Sequence, residues 1–223
     1  MNQTVHIVNG NYEYRRMFES RGWTVTGVGL DGNPFRVGPV PTLVQFTGGE
    51  DVTPWLYGER AHRTTGYNFG RDIREIEIFG MALERQIPMA GICRGGQFLN
   101  VMCGGKMWQN VDHHAIGGTH GVRDTATGEV FQATSTHHQM MRPGRTAHIV
   151  GVADPSLSTK KESMVHENGF GRRDVEIVYY DQQNVLCFQP HPEFPGQDAL
   201  ADTYFEYIDQ YLLNPDNYEY EEE

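Results

Sequence analysis

The sequence contains few cysteines, and this scarcity bears on the compartment in which the protein works. Three cysteines occur among 223 residues, at positions 93, 103 and 187. An odd and scattered set of this kind does not form a disulfide framework, so we expect reduced thiols and a cytoplasmic protein. The N-terminal segment MNQTVHIVNG also lacks the basic and long apolar regions of a secretory signal peptide. Free thiols are therefore available for chemistry.

Long apolar runs and an excess of positive charge are missing as well. No run of about 18 apolar residues occurs, so no membrane span is predicted. Lys and Arg number 18 against 29 Asp and Glu, which gives a formal net charge of −11 and disfavours nucleic acid or an anionic membrane as a partner. Much of the acidic excess lies in residues 215–223, which we predict to be a flexible tail after a single domain over residues 1–214.

What is present is an alternation of short apolar runs with amphipathic segments. Strands are predicted near residues 4–8, 23–30, 42–46, 89–92, 175–180 and 184–189, and helices near 12–22, 71–86 and 200–212. The strands are apolar throughout, as expected where helices cover both faces of a parallel sheet. Residues 104–151 are irregular and rich in His, Gly and Thr, so we expect loops and hairpins there. The pattern predicts one α/β domain.

The segment GICRG, residues 91–95, has the pattern of a sharp turn from a strand into a helix. Such a corner forces its central residue, Cys93, into a left-handed backbone conformation, and positions two residues away must be nearly free of side-chain atoms. Gly91 and Gly95 meet this requirement. The helix N-terminus favours the thiolate form of Cys93, and the backbone N–H of Arg94 is suited to bind an oxyanion. We therefore predict that Cys93 is a nucleophile.

The segment QPHPEF, residues 189–194, supplies a base for this nucleophile. His191 can transfer the proton, and Glu193 can orient the imidazole, as the carboxylate of a triad does. Cys93 and His191 both follow predicted strands, and in such sheets ligands bind at the carboxyl ends of strands. Gly48 and Gly49 follow a third strand, where a main-chain N–H can approach a substrate closely. These segments are predicted to meet at one edge of the sheet.

The remaining candidate groups are predicted to be structural. Adjacent histidines point in different directions, and the sequence has no helical His-x-x-x-His spacing, so we predict no metal site and no cofactor. Cys103 and Cys187 are expected to pack in the interior. The histidines considered as metal ligands are those at positions 113, 114, 120, 137 and 138.

Five segments together resemble the class I glutamine amidotransferase superfamily, and within it the γ-glutamyl hydrolase branch, peptidase C26, which includes γ-glutamyl-γ-aminobutyrate hydrolases. They are TGGEDVTPWLYG, RDIREIEIF, GICRGGQFLNVMCGGKMWQ, STHHQ and QPHPEF. They run in the order typical of the family from about Gly48 to Phe194. The resemblance implies a flavodoxin-like three-layer sandwich with a mostly parallel central sheet and a nucleophile elbow.

The resemblance also implies an activity and a set of site residues. Cys93, His191 and Glu193 would hydrolyse a small γ-glutamyl amide through a γ-glutamyl thioester, releasing glutamate and ammonia or an amine. The N–H groups of Gly49 and Arg94 would hold the oxyanion. The implied pocket for the glutamyl group is lined by Gly48, Gln97, Ser135, His137, His138 and Gln139. Three further residues match family motif positions without a role that the sequence assigns: Asp51, Arg71 and Asp72.

Other functions stay open at this point. The domain could be the glutaminase component of an amidotransferase, delivering ammonia to a separate synthetase, or a non-catalytic binding protein on the same fold. Synthetase-linked relatives commonly carry Leu after the nucleophile, whereas this chain has Arg94, which together with GGEDVTP favours a self-contained hydrolase. A redox or chaperone role would leave the His-Pro-Glu segment unexplained. The amine leaving group and the oligomeric state cannot be predicted from the sequence.

Overall fold

The computed structural model describes residues 3–28, 40–164 and 173–214. The helices are α1 (Tyr12–Glu19), α2 (Phe69–Glu84), α3 (Arg94–Met102) and α4 (Asp198–Tyr207), with a π-helical continuation (Ile208–Leu213) and short 3-10 turns at Pro54–Tyr57 and Asp181–Gln183. The strands are β1 (Thr4–Val8), β2 (Thr24–Val28), β3 (Leu43–Phe46), β4 (Met89–Ile92), β5 (Lys106–Trp108), β6 (Asn110–Val111), β7 (Ala115–Asp124), β8 (Val130–Thr136), β9 (Met140–Arg142), β10 (His148–Ala153), β11 (Lys161–Glu162), β12 (Val175–Tyr180) and β13 (Val185–Phe188).

Nine of these strands form one sheet in the order β2-β1-β3-β4-β13-β12-β10-β7-β8. The first five are parallel to one another. The other four extend the sheet by antiparallel pairing, and β7 and β8 form a long hairpin within it. The predicted α/β class with a large, mostly parallel sheet is confirmed. Strand β4 lies between β3 and β13, which brings the carboxyl ends of these three strands together.

Two apolar layers cover the sheet, one on each face. Helices α1 and α4 pack on one face, for example through Phe18 and Tyr204. Helices α2 and α3 pack on the other, through Ile78 and Phe98. Strand β4 contributes Met89 to the second layer and Ala90 and Ile92 to the first, as expected because successive side chains of a strand point to opposite faces. The three-layer arrangement follows from this alternation.

The order of elements through α3 agrees with the sequence-based expectation. The irregular region between residues 104 and 151 contains β5 to β9 and most of β10, with no helix, as predicted. Part of the predicted strand at 23–30 and the whole predicted acidic tail at 215–223 lie outside the described residues. The single domain over residues 1–214 and the cytoplasmic location stay predictions. Within the described part of the chain, no helix is long and apolar enough to cross a membrane.

Candidate active site

Cys93 lies at the turn between β4 and α3 in a strained backbone conformation. Its φ is +50° and its ψ is −114°. The flanking glycines are required by close packing: a Cβ added to Gly91 would lie 2.4 Å from the carbonyl carbon of Gly95, and one added to Gly95 would lie 2.4 Å from the carbonyl oxygen of Phe46. These distances are far below any normal carbon contact. The Gly-x-Cys-x-Gly pattern therefore fits this corner for steric reasons.

His191 reaches the same point from the end of β13. A Cβ added to Gly48 would lie 3.0 Å from Cε1 of His191 and 3.8 Å from Cβ of Cys93, so the two side chains meet beside this glycine. The Cys93 side chain is close enough to the imidazole to raise its pKa. The structure thus brings together two residues that are distant in sequence.

Glu193 fixes the orientation of the imidazole. Its Oε1 lies 2.6 Å from Nδ1 of His191, and the imidazole also stacks on Phe194 with ring centroids 4.4 Å apart. Burial lowers the pKa of His191, but the Cys93 thiolate and the Glu193 carboxylate outweigh it and raise that pKa from 6.5 to about 10. The imidazolium form of His191 is therefore favoured at neutral pH.

Tyr14 is a part of this site that sequence reasoning missed. Its hydroxyl oxygen accepts a hydrogen bond from the Gly48 N–H at 2.9 Å and lies near the Glu193 carboxylate. Burial, followed by the nearby Glu193 carboxylate, raises the pKa of Tyr14 well above its usual value, so the phenol stays protonated. In the sequence, Tyr14 shares one apolar helix face with Met17 and Phe18, which predicts core packing only.

The two predicted oxyanion donors flank Cys93. Arg94 is the first residue of α3, so its N–H has no carbonyl partner within the helix. Gly49 has a φ of +140°, and a Cβ there would lie 2.2 Å from Nη1 of Arg71, so only glycine fits. The Gly48 N–H is already engaged with Tyr14, which leaves Gly48 as a close wall of the site.

A buried charge network holds this loop and the elbow together. Arg71 donates to the carbonyl oxygens of Thr47 and Gly48 at 2.9 and 3.0 Å and pairs with Glu75 at 2.7 Å. The Arg94 guanidinium pairs with both Glu75 and Asp72. The side chains of this network, Arg71, Asp72, Glu75 and Arg94, are at most 2% exposed. Arg71 and Asp72, to which the sequence assigns no role, thus position the loop after β3 and the start of α3.

The structure does not bring all of the predicted pocket residues to an open surface. Gln97 is buried, and its Nε2 donates to Oε1 of Gln189 at 3.1 Å and to the Gln139 carbonyl at 3.3 Å. Gln139 is buried as well, and its Nε2 donates to the Thr65 hydroxyl at 3.2 Å. Ser135 donates to a backbone carbonyl at 3.2 Å and is fully buried. These three side chains are therefore buried and hydrogen-bonded within the protein, and their role in substrate binding stays a prediction.

The two neighbouring histidines of STHHQ point to different environments. His137 is buried, with its Nδ1 2.9 Å from the Gln139 carbonyl oxygen. His138 has a side chain that is 40% exposed, and its Nε2 lies 3.2 Å from Oδ1 of Asp51. The hydrogen bond to Asp51 raises the pKa of His138. Asp51 also accepts the Gly66 N–H at 2.9 Å, so it joins His138 to the loop preceding α2.

The other two cysteines occupy apolar surroundings, as expected. Cys187 is fully buried in β13, and Cys103 packs against the layer formed by α2 and α3. Burial raises the pKa of Cys103 to about 12 and that of Cys187 well above its usual value. Both thiols are therefore protonated at neutral pH, which makes them poor nucleophiles.

Comparison with known proteins places this geometry in a family. The model of the peptidase C26 family matches residues 42–193, more than half of the chain, and the match includes the elbow and the His191–Glu193 segment. The chain belongs to the peptidase C26 family. It is thereby a member of the class I glutamine amidotransferase-like superfamily, as the resemblance of its motifs predicts.

Individual peptidase C26 and amidotransferase relatives agree with this assignment. The chain is 29% identical over 170 residues to YvdE of Lactococcus lactis, a glutamine amidotransferase-like protein, covering 67% of this chain and 65% of that one. Two further curated relatives are matched over 52% and 51% of their length. The aligned part thus spans between half and two thirds of these proteins.

Solved structures of low sequence identity share the fold. A glutamine amidotransferase of Thermotoga maritima superposes with a TM-score of 0.64 at 14% identity, covering 97% of this chain and 88% of the other. A protein of Thermoplasma acidophilum assigned as a component of GMP synthase gives a TM-score of 0.62 at 14% identity, covering 97% and 98%. At such identities these likenesses concern the fold alone.

Proposed function

We propose that this peptidase C26 family member hydrolyses a γ-glutamyl amide, glutamine or a γ-glutamyl amine, with Cys93 as the nucleophile. The observation that carries the proposal is the meeting of the strained Cys93 with a partly buried His191 that Glu193 holds at 2.6 Å. In such a pair the thiolate is a competent nucleophile, and the imidazolium is a ready proton donor. The apolar surroundings of Cys103 and Cys187 support no such chemistry.

In the first half of the reaction, the Cys93 thiolate attacks the γ-carbonyl carbon. The carbonyl π electrons move to oxygen, and the N–H groups of Gly49 and Arg94 stabilise the resulting oxyanion. His191 donates its proton to the leaving nitrogen as the carbon–nitrogen bond breaks. Ammonia or an amine departs, and a γ-glutamyl thioester on Cys93 remains.

In the second half, water attacks the thioester carbonyl while neutral His191 accepts a proton from it. Collapse of the tetrahedral intermediate expels the Cys93 thiolate and releases glutamate. Glu193 keeps the imidazole in one tautomer and stabilises its charged form, and Tyr14 holds the Gly48 N–H beside this pair. Tyr14 is thus a positioning residue.

We further propose that the glutamyl group binds beside Gly48 and His138, whose imidazole is the exposed member of the predicted pocket set. Gln97, Ser135, His137 and Gln139 would shape this pocket from behind through their buried hydrogen bonds. A protonated His138 could attract the α-carboxylate of the substrate, because Asp51 raises the pKa of this histidine.

A second candidate function is the glutaminase component of a synthetase, and the similarity to the carbamoyl phosphate synthase small chain of Archaeoglobus fulgidus, 31% identical over 132 residues, favours it. This alternative uses the same thioester chemistry but delivers the ammonia to a partner. It predicts slow glutamine turnover by the isolated chain and a strong increase when a co-purifying partner and its acceptor substrate are added. A self-contained hydrolase shows no such increase.

The experiment is a screen of glutamine and γ-glutamyl amines with glutamate release as the readout. Cys93→Ser should abolish release, whereas Cys103→Ser, a matched change at a thiol outside the site, should keep nearly full activity. Full activity of Cys93→Ser would remove this residue as the nucleophile. Absence of turnover and of any thioester with all substrates would favour a non-catalytic binding protein.

A further inference from the structure

A second cluster of ionisable groups, distinct from Cys93, His191 and Glu193, lies between β7, β8 and β12. It consists of three histidines and one carboxylate, all buried: His114, His120 and His137 are 0%, 7% and 3% exposed, and Glu176 is 0% exposed. The proposed hydrolysis uses none of these side chains in a chemical step. Burying four such groups together is costly unless they are matched by a ligand or by one another.

The three imidazoles converge on one oxygen atom. Glu176 Oε1 lies 3.3 Å from Nδ1 of His114, 3.2 Å from Nε2 of His120 and 3.4 Å from Nε2 of His137. The candidate ligand atoms of His114, His120 and Glu176 all lie within 4.8 Å of one another. In a tetrahedral zinc site with bonds of about 2.0–2.1 Å, neighbouring ligand atoms are about 3.3 Å apart. The spacing around Oε1 matches this value.

The far nitrogens of two of these rings are fixed by groups that can only accept a hydrogen bond. Nε2 of His114 donates to Oδ2 of Asp174 at 2.9 Å, and Nδ1 of His137 donates to the Gln139 carbonyl at 2.9 Å. In the neutral rings, the near nitrogens therefore carry lone pairs that face a carboxylate. Neither near nitrogen has a hydrogen-bond partner, and neither does Oε2 of Glu176. His120 Nε2 can donate to Oε1 of Glu176 at 3.2 Å, but the near nitrogens of His114 and His137 and Oε2 of Glu176 still lack a donor.

We propose that His114, His120 and Glu176 bind one Zn²⁺ ion and that His137, which lies outside the group with ligand atoms within 4.8 Å of one another, moves toward the ion as the fourth ligand. Three imidazole nitrogens and one carboxylate oxygen are a ligand set that zinc accepts in tetrahedral geometry. The hydrogen bond from His114 to Asp174 is the second-layer contact that typically orients a metal-binding histidine. Asp174 is itself held by Lys161 at 2.8 Å and by the Ser158 N–H at 2.8 Å.

The site is closed and near the candidate active site, which indicates a structural role for the metal. The Gln189 N–H donates to the Glu176 carbonyl at 2.8 Å, and the His191 N–H donates to Thr134 Oγ1 on β8 at 2.7 Å. Zinc would therefore tie together β7, the end of β8 and β12, which support the backbone at His191. The adjacent histidines point in different directions, as predicted from the sequence. The His113 side chain is 58% exposed, whereas that of His114 is fully buried.

The competing explanation is that protons alone satisfy the cluster. Burial lowers the pKa of His114, but contacts with Asp174 and Glu176 raise it to about 9. In this explanation an imidazolium takes the place of the metal. Only the first explanation, a bound Zn²⁺ ion, predicts that the folded chain takes up zinc. The two explanations are separated by a metal-binding measurement on the folded chain, independent of any activity assay.

The experiment uses the full chain with Cys93→Ser as background, so that the thiolate of the candidate active site cannot bind the added metal. After chelator treatment, with folding checked by circular dichroism, the protein is titrated with Zn²⁺ and, in parallel, with Co²⁺. We expect uptake of about one Zn²⁺ per chain and the intense visible absorption of tetrahedral Co²⁺. A stripped, folded protein that takes up no zinc and gives no such absorption would overturn the proposal.

Single substitutions test which residues bind the metal. His120→Ala should lose the tetrahedral Co²⁺ spectrum, and Asp174→Asn should weaken zinc binding about 10- to 100-fold because the His114 tautomer is no longer fixed. His113→Ala is the matched control, since this neighbouring side chain is exposed, and it should bind like the background protein. Equal loss in His113→Ala, or an unchanged spectrum in His120→Ala, would contradict the assignment.

Discussion

Replacing Arg94 by Met tests whether the buried charge network holds the elbow against α2. The Arg94 guanidinium pairs with Asp72 and Glu75 and lies 5.1 Å from the ring centre of Phe98. Met keeps an unbranched chain of similar length against that ring, so the change removes the charge with little loss of packing. The backbone N–H proposed to bind the oxyanion is retained.

The size of the effect follows from what remains around the two carboxylates. Removing one partner of a buried ion pair typically costs about 3–5 kcal/mol. Here Glu75 keeps Arg71 at 2.7 Å, and Asp72 keeps the Thr53 N–H at 3.0 Å, so neither carboxylate is left bare. We therefore expect a loss of about 3 kcal/mol in the free energy of unfolding, at the lower end of this range. At about 2–3 kcal/mol per molar of urea, the midpoint falls by about 1–1.5 M.

The assay is equilibrium unfolding in urea, followed by circular dichroism. Arg74→Met is the matched control, because Arg74 lies on α2 and is exposed. Its unfolding free energy should change by no more than about 0.5 kcal/mol. A loss below about 1 kcal/mol for Arg94→Met, or one equal to that of the control, would refute the view that these pairs hold the elbow.

Three further changes test other parts of the account. Gly95→Ala places a Cβ 2.4 Å from a β3 carbonyl oxygen, so it should lower the free energy of unfolding in urea by about 2–3 kcal/mol. The control Gly80→Ala lies in open space on α2 and should leave that free energy unchanged or raise it by up to about 1 kcal/mol. Tyr14→Phe should lower kcat about fivefold with little change in KM, from loss of the hydrogen bond with the Gly48 N–H, worth about 1 kcal/mol; an unchanged kcat would exclude its positioning role. The pKa of His191 should be about 10 by imidazole NMR and fall towards 6.5 in Cys93→Ala. The stability that His191 protonation contributes is thus full below pH 6.5 and lost as pH rises through about 10, and an unchanged midpoint in the variant would contradict the thiolate contact.

The elbow and the parallel part of the fold could be predicted because their causes are local. Cys93 between Gly91 and Gly95 is a steric pattern within five residues, and uniformly apolar runs indicate strands covered on both faces. The carboxyl-end rule then predicts that His191 approaches Cys93, although these two residues are far apart in sequence. The structure brings them together beside Gly48.

Other features depend on contacts that no local pattern encodes. The pairing of β10 with both β12 and β7 joins segments that are separated along the chain, and periodicity does not predict such pairing. Tyr14 shows only a buried helix position in the sequence, while its hydroxyl accepts the Gly48 N–H. The convergence of His114, His120 and His137 on Glu176 likewise brings three strands together, so spacing along the chain does not reveal it.

The most direct test of the central claim treats the protein with a glutamine analogue that carries an electrophile in place of the γ-amide. The account predicts a single covalent adduct, mapped by peptide mass spectrometry to Cys93, which forms far more slowly in His191→Gln. A protein that stays unmodified, or one labelled at Cys103 or Cys187 in place of Cys93, would contradict it.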